Sequence, residues 1–247
     1  MNAVARDRLV TDAPIRTFHL LFASAFAVAW LTGDADDWRA LHVALGYCLA
    51  GLLGWRLVYG LVGPQPARLG AMGRRFASLL RWLASLAQQR RGLERPQPLD
   101  APQRAKLSAS QAATLLMAVL PMILMAGLPF LALSGLATYQ DWGGLGHLTE
   151  ELHEGLALAL GLLALAHPLW VAGLSLLRGR NLAAVMVSGR VAGPGPDLVR
   201  HERRRWALLL AVSALMATAM LWREEARHPP ARAAAERSDA ADTDDDD

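Results

Sequence analysis

The chain has 247 residues, of which 53% are hydrophobic and 19% are charged, and its formal net charge is +3. This composition, with a mean hydropathy of +0.24, excludes an ordinary soluble domain and indicates a membrane protein. A handful of spanning helices with short connections would use most of this length, so large domains outside the membrane are excluded as well.

Five apolar segments are long enough to cross a bilayer as helices, and none alternates in polarity as a barrel strand would. They run from Pro14 to Gly33, Ala40 to Gly63, Ala109 to about Thr138, Leu148 to Leu177 and Trp206 to Trp222. We therefore predict an all-α fold, an integral membrane helical bundle with five spans. Pro121 and Pro129 interrupt the third segment and predict a kink there.

The connections between the spans differ in charge, which predicts their sides of the membrane. Residues 64–108 and 178–205 are strongly basic, whereas the turn between the first two spans carries Asp34, Asp36 and Asp37. The positive-inside rule then places the basic loops and the N-terminus in the cytoplasm, for a multi-pass membrane protein. These arginines face a lipid surface, so we expect no nucleic-acid partner despite a pI near 9.6.

Two segments outside the spans have their own pattern. In the basic loop, Leu69, Phe76, Leu80 and Leu83 recur at helical spacing among arginines. This predicts either an amphipathic helix at the membrane interface or a solvated helix that packs on a partner, and the sequence does not separate them. Residues 226–247 are acidic and rich in alanine, which predicts a disordered tail.

Four histidines lie inside the apolar spans: His19, His42, His153 and His167. Ionisable groups in a membrane segment are costly, so they indicate function. His153 and His167 are fourteen residues apart on one predicted helix, which corresponds to a rise of roughly 21 Å and an angular offset of about 40°. One helix could therefore hold two cofactors, one above the other.

The predicted topology pairs these histidines at two depths. His42 and His153 fall near the outer face, while His19 and His167 fall toward the inner side. Two imidazoles per level are too few for a metal held by protein alone. They suit a haem iron ligated on both sides, which favours electron transfer over oxygen chemistry. No C-x-x-C-H motif is present, so any haem is noncovalent. The alternative is that these histidines are polar residues that pack helices together.

Three stretches carry a resemblance to a known family. They are DAPIRTFHLLFASAFAVAWLTGD, LHVALGYCLAGLLGWRLVYGLVGPQPARL and EELHEGLALALGLLALAHPLWVAGLSLLRGRNLAAVMVSG, which cover the first, second and fourth spans. The chain resembles the bacterial di-haem cytochromes b, a family that contains the cytochrome b561-type proteins and the cytochrome b subunit of membrane-bound nickel–iron hydrogenases. The fourteen-residue spacing of the last two histidines is its most specific element.

The resemblance implies that His19, His42, His153 and His167 are the axial ligands of two noncovalent b haems. It implies a four-helix di-haem core in residues 1–190, to which residues 191–225 add a cytoplasmic loop and a fifth spanning helix. The four-helix members of the family lack this fifth span, and the long arginine-rich loop is a further departure.

Other residues near the predicted haem levels have two interpretations each. Arg56 lies fourteen residues after His42, so its guanidinium could pair with haem propionates, with Arg16 as a second candidate. Alternatively, Arg56 extends to the cytoplasmic interface. Gly46, Gly51, Gly155 and Gly161 either make room for porphyrin faces or allow close helix contact.

Three hypotheses for the function follow. The first is an inner-membrane cytochrome that carries electrons between a periplasmic redox partner, a cytochrome c or a redox enzyme subunit, and the quinone pool. It is an electron-transfer subunit more than a stand-alone enzyme, with quinone as its substrate. The second is a quinone-coupled oxidoreductase acting directly on a small molecule such as superoxide. The third is a haem-free transporter or scaffold, although no internal repeat supports transport.

Overall fold

The computed structural model describes residues 7–90 and 101–227, and most of these residues are helical. The helices are α1 (Ala13–Leu31), α2 (Arg39–Val62), α3 (Leu69–Arg90), α4 (Ala101–Tyr139), α5 (Gly146–Leu177), α6 (Ala184–Ser188) and α7 (Arg204–Arg227). Within this described part, five helices are long and apolar enough to cross a membrane, namely α1, α2, α4, α5 and α7. The predicted all-α membrane bundle with five spans is confirmed. Residues 91–100 of the basic loop and residues 228–247 of the predicted tail lie outside the described residues.

The helix boundaries follow local chemistry, and the two prolines of the third span lie inside a continuous helix. Helix α1 begins just after Asp12, with Pro14 in its first turn, where proline's fixed φ is already helical. In α4, Pro121 and Pro129 lie inside one continuous helix. They do not interrupt the span, because a helix in an apolar environment has no water to satisfy broken backbone bonds and therefore continues through proline.

The bundle has two packed groups of helices. Helices α1, α2 and α7 pack on one another, α4 packs along α5, and α2 also contacts α4. Ala25 and Ala29 of α1 meet Leu45 and Leu49 of α2, and a second cluster joins α1, α2 and α7. Helices α1, α2, α4 and α5 thus surround a common space, and α7 covers the opposite side of α1 and α2.

The two ends of the bundle differ in charge, and we name them accordingly. The acidic end comprises residues 32–38 and 140–145, and the basic end comprises residues 63–68 and 178–203. At the acidic end, the Tyr139 hydroxyl donates a hydrogen bond of 2.8 Å to Glu225, which joins the end of α4 to the end of α7. The Arg39 guanidinium stands 6.0 Å from the centre of the Tyr139 ring.

Helix α3 forms where the amphipathic pattern predicts a helix. It packs against α4, and Phe76, Leu80 and Leu83 remain exposed on it. Its position at a membrane surface stays a prediction.

A strap of residues 189–203 closes the basic end. Within it, β2 (Arg190–Val191) pairs antiparallel with β1 (Arg8–Leu9). Backbone bonds continue the contact on both sides, from Leu198 N to Leu9 O at 2.8 Å and from Ala13 N to Glu202 O at 2.9 Å. The strap therefore ties the segment before α1 to the segment before α7.

Candidate functional site

His42 and His153 face each other between α2 and α5. Their ring centres are 6.1 Å apart, and the ring planes are nearly perpendicular, at 86°. His42 lies one turn into α2, and His153 lies two turns into α5, so antiparallel helices bring the two rings to the same level near the acidic end. The structure thus brings together one of the two histidine pairs that the topology predicts.

Main-chain carbonyls fix the orientation of both rings. His42 Nδ1 is 2.8 Å from Ala29 O, and His153 Nδ1 is 3.1 Å from Leu131 O. A carbonyl oxygen can only accept a hydrogen bond, so each Nδ1 must carry the proton and donate it. Nε2 of each ring is left with a free lone pair, which is the usual state of a histidine ready to bind a metal.

The spacing of the rings fits one metal atom between them. Two imidazoles that bound one metal atom from opposite sides, with bonds of about 2.1 Å as for zinc, would have ring centres about 6 Å apart. The observed 6.1 Å is close to that value. Within the described residues, no group of three or more histidine, cysteine or acidic side chains could hold a metal. Two imidazoles can ligate a metal whose remaining positions are filled by a planar prosthetic group.

An apolar cavity of about 240 Å³ adjoins this pair. It is formed by residues of α1, α2, α4 and α5, and both His42 and His153 line it. Tyr47 and Tyr139 also line it, and none of the lining residues in the described part of the chain is an Asp, Glu, Lys or Arg. A concave apolar space with two convergent ligating groups is the usual form of a cofactor site.

Gly135 on α4 makes room for the His153 ring. A Cβ at this position would lie 2.8 Å from His153 Cε1 and 3.0 Å from Nδ1, which is closer than carbon and nitrogen atoms approach without bonding. Beside it, the buried Ser134 hydroxyl lies 3.2 Å from His153 Nδ1 and donates to Leu131 O. The sequence analysis missed both residues, although a glycine within an apolar span was a visible signal.

The second pair, His19 and His167, lies toward the basic end. The two imidazoles are near enough to interact electrostatically. His167 Nδ1 is buried without a hydrogen-bond partner, and His19 is exposed at the bundle surface. A buried imidazole nitrogen without a partner is costly in an apolar setting. This pair is thus less completely fixed by protein contacts than the His42 and His153 pair.

The glycines that the sequence analysis singled out divide into two groups. A Cβ at Gly46, Gly51 or Gly155 would meet nothing within 4 Å, and Gly46 lines the cavity. At Gly161 the space is taken by the indole of Trp30, and a Cβ there would overlap Trp30 Nε1. Gly161 of α5 therefore allows close contact with Trp30 of α1, which is the second of the two interpretations given for this glycine.

Arg56 is buried, with only 7% of its surface exposed, and lies close to the level of His19. Phe18 stacks on Trp55 at 5.8 Å, and these two residues are the sequence neighbours of His19 and Arg56. The Arg56 guanidinium interacts with Asp12, and its Nη1 would be 3.0 Å from a Cβ at Gly60. It is thus held inside the bundle.

Asp12 is the centre of a polar cluster that the sequence did not reveal. It is 1% exposed, it accepts a short hydrogen bond from the Tyr59 hydroxyl, and its Oδ1 has no hydrogen-bond partner. Arg203 of the strap lies 3.8 Å from Asp12 and donates to the Tyr59 hydroxyl at 3.1 Å. Arg203 adopts a φ of 55°, a left-handed conformation that is rare for side chains larger than glycine and points to strain held by its surroundings.

Arg16 faces the strap. Its Nη1 donates to Val187 O at 2.6 Å, and Gly189 lies against its guanidinium. Nearby, the half-buried Glu202 carboxylate accepts a hydrogen bond of 2.5 Å from Arg204. This bond, with the neighbouring arginines, holds the pKa of Glu202 below its ordinary value of 4.5.

The fold and the paired imidazoles define a class of protein, a helical membrane bundle with histidines facing one another between its spans. The family model described as prokaryotic cytochrome b561 matches residues 10–189, and the chain belongs to this family. It is therefore a membrane b-type cytochrome that takes part in electron transfer, and the family implies that it binds b-type haem. The matched segment contains all four intramembrane histidines, and α7 lies beyond it. Comparisons with curated proteins and with solved structures find no match.

Proposed function

We propose that this chain holds two noncovalent b haems and carries electrons across a bacterial inner membrane, between a periplasmic redox partner and the quinone pool. His42 and His153 ligate the outer haem iron, and His19 and His167 ligate the inner one. The observation that carries the proposal is the facing of His42 and His153 at 6.1 Å, with each Nδ1 hydrogen-bonded to a carbonyl.

The residues of the site do two things for such a group. The carbonyls of Ala29 and Leu131 fix both rings through Nδ1, and this hydrogen-bond donation from Nδ1 also raises the basicity of Nε2 as a ligand. The apolar lining excludes water from the cavity. A bis-histidine haem supplies one-electron chemistry without an open coordination position, and this agrees with electron transfer.

The inner haem would be held by His19 and His167, with arginines at the same end of the bundle. Arg56 and Arg16 remain our candidates for pairing with its propionates, because a guanidinium recognises a carboxylate through charge-assisted hydrogen bonds. The buried position of Arg56 beside the level of His19 supports its candidacy more than that of Arg16, which hydrogen-bonds to Val187. We place the quinone site at this inner level.

Charge supports the proposed orientation and the partner. The basic end would face the cytoplasm by the positive-inside rule. The acidic end, which holds the His42 and His153 pair, would then face the periplasm and present exposed carboxylates at Asp34, Asp36 and Asp37. A redox partner with a basic surface, such as a cytochrome c, would be attracted there.

Electron transfer by the purified protein in sealed vesicles tests this proposal. A quinol analogue would reduce both haems, and reduced protein would pass electrons to cytochrome c added outside. His42→Ala should abolish the second step while leaving quinol reduction at the inner haem. Reduction by superoxide alone, with no electron exchange with quinol or cytochrome c, would contradict the proposal and favour an enzyme acting directly on that small molecule.

A further inference from the structure

We propose that the polar cluster of Asp12, Arg56 and Arg203 at the basic end sets the reduction potential at the His19 and His167 level, with the two guanidiniums raising it and the carboxylate lowering it. This inference rests on the proposed function, because it requires a haem at each level.

The two levels differ in the charges around them. None of the described residues that line the cavity of His42 and His153 is charged. Beside this cavity, Glu154 interacts electrostatically with His153, and Arg39 and Glu225, which are of opposite sign, contact Tyr139. At the other level, two guanidiniums, Arg56 and Arg203, face one carboxylate, Asp12. With Tyr59 neutral, this cluster carries a positive excess.

The cluster is close to the inner histidines. Asp12 lies seven residues before His19, a rise of about 10 Å at helical pitch. The stacking of Trp55 on Phe18 places Arg56 at a similar level, and Tyr59 stacks on Trp55 at 4.8 Å. Because Arg56 and Asp12 are buried, solvent screens their charges less than surface charges.

A positive charge favours the cofactor state that holds one more electron. At about 10 Å and an effective dielectric constant near 20, one unit charge changes the reduction equilibrium by about tenfold, which is about 59 mV for a one-electron couple. The cluster contains charges of both signs, so removing a positive charge should lower the reduction potential and removing the negative charge should raise it. A merely structural role of these residues would not produce two shifts of opposite direction.

Spectroscopic redox titration of the purified protein tests the inference. His167→Ala first identifies the spectral component of the inner level as the one it removes. We expect Arg56→Gln to lower the midpoint potential of that component and Asp12→Asn to raise it, each by up to about 59 mV for a tenfold change. Arg56→Lys should retain the potential, because it keeps the charge.

Asp36→Asn is the matched control, because it removes a carboxylate at an exposed position of the acidic end and should leave the inner component unchanged. If Arg56→Gln does not fold, Arg203→Gln removes a cluster charge at the strap and should also lower the potential. If both haems are present but the midpoint potential of the inner component does not move in Arg56→Gln and Asp12→Asn, this inference is wrong and the proposed function stands. The same holds if that potential moves in the same direction in both variants. A preparation without haem would overturn the proposed function and this inference together.

Discussion

Replacement of Gly135 by alanine should selectively damage the haem held by His153. The new Cβ would lie 2.8 Å from His153 Cε1, whereas carbon contacts are most favourable at about 3.5–4.0 Å, so the ring must move by about 0.7–1.2 Å. Such overpacking typically costs about 1–3 kcal/mol, which corresponds to haem binding weakened by about 5- to 150-fold. The movement would also strain the hydrogen bond from His153 to Leu131 O.

The assay is haem content per chain by pyridine haemochrome, together with the visible spectrum. Gly173→Ala is the matched control, because Gly173 lies on the same helix as His153 and a Cβ there meets nothing within 4 Å. Alanine is the better helix former by about 1 kcal/mol, so loss of haem in Gly135→Ala could not be attributed to a weaker helix. Full haem content and an unaltered spectrum in this variant would refute the assignment of His153 as a ligand.

Three further predictions concern the ends of the bundle. Electron transfer to a basic partner should slow as ionic strength rises, and a rate independent of salt would argue against docking at the acidic end. Tyr139→Phe removes the hydrogen bond to Glu225 and should cost about 1–2 kcal/mol, seen as faster amide exchange at the end of α7, with Trp142→Phe at the same end as control. The lowered pKa of Glu202 means that its contribution to strap stability is complete above pH 4.5 and is lost as pH falls below that value. The protection factors for amide exchange in residues 190–203, which correct for the intrinsic pH dependence of exchange, should therefore decrease on acidification, and Glu202→Gln should abolish this decrease.

The sequence predicted those features that depend on local composition and helical periodicity. Hydropathy located all five spans, and the charges of the loops ordered them so that His42 and His153 could be paired from the sequence alone. Helix α4 continues through Pro121 and Pro129 without interruption, and the predicted kink there stays a prediction.

The sequence did not predict the features that depend on contacts between residues far apart in the chain. The strap pairs Arg190 with Leu9, and Arg203 lies beside Asp12. Because the partners in each contact are far apart in the chain, no periodic pattern in the sequence indicates either contact. Asp12 precedes the first span and resembles an ordinary helix start, yet it proves to be buried. Likewise, the role of Gly135 depends on the position of His153 on the neighbouring helix, which no pattern within the apolar segment specifies.

The most direct test of the central claim is the reduced-minus-oxidised visible spectrum, with pyridine-haemochrome quantitation, of the purified protein and its four single histidine-to-alanine variants. We predict two b haems per chain. His42→Ala and His153→Ala should lose the same component, and His19→Ala and His167→Ala should lose the other. Absence of haem, or a stoichiometry unchanged by all four substitutions, would contradict the proposed sites. Absence of haem would further favour a transporter or scaffold in which the histidines only pack the helices together.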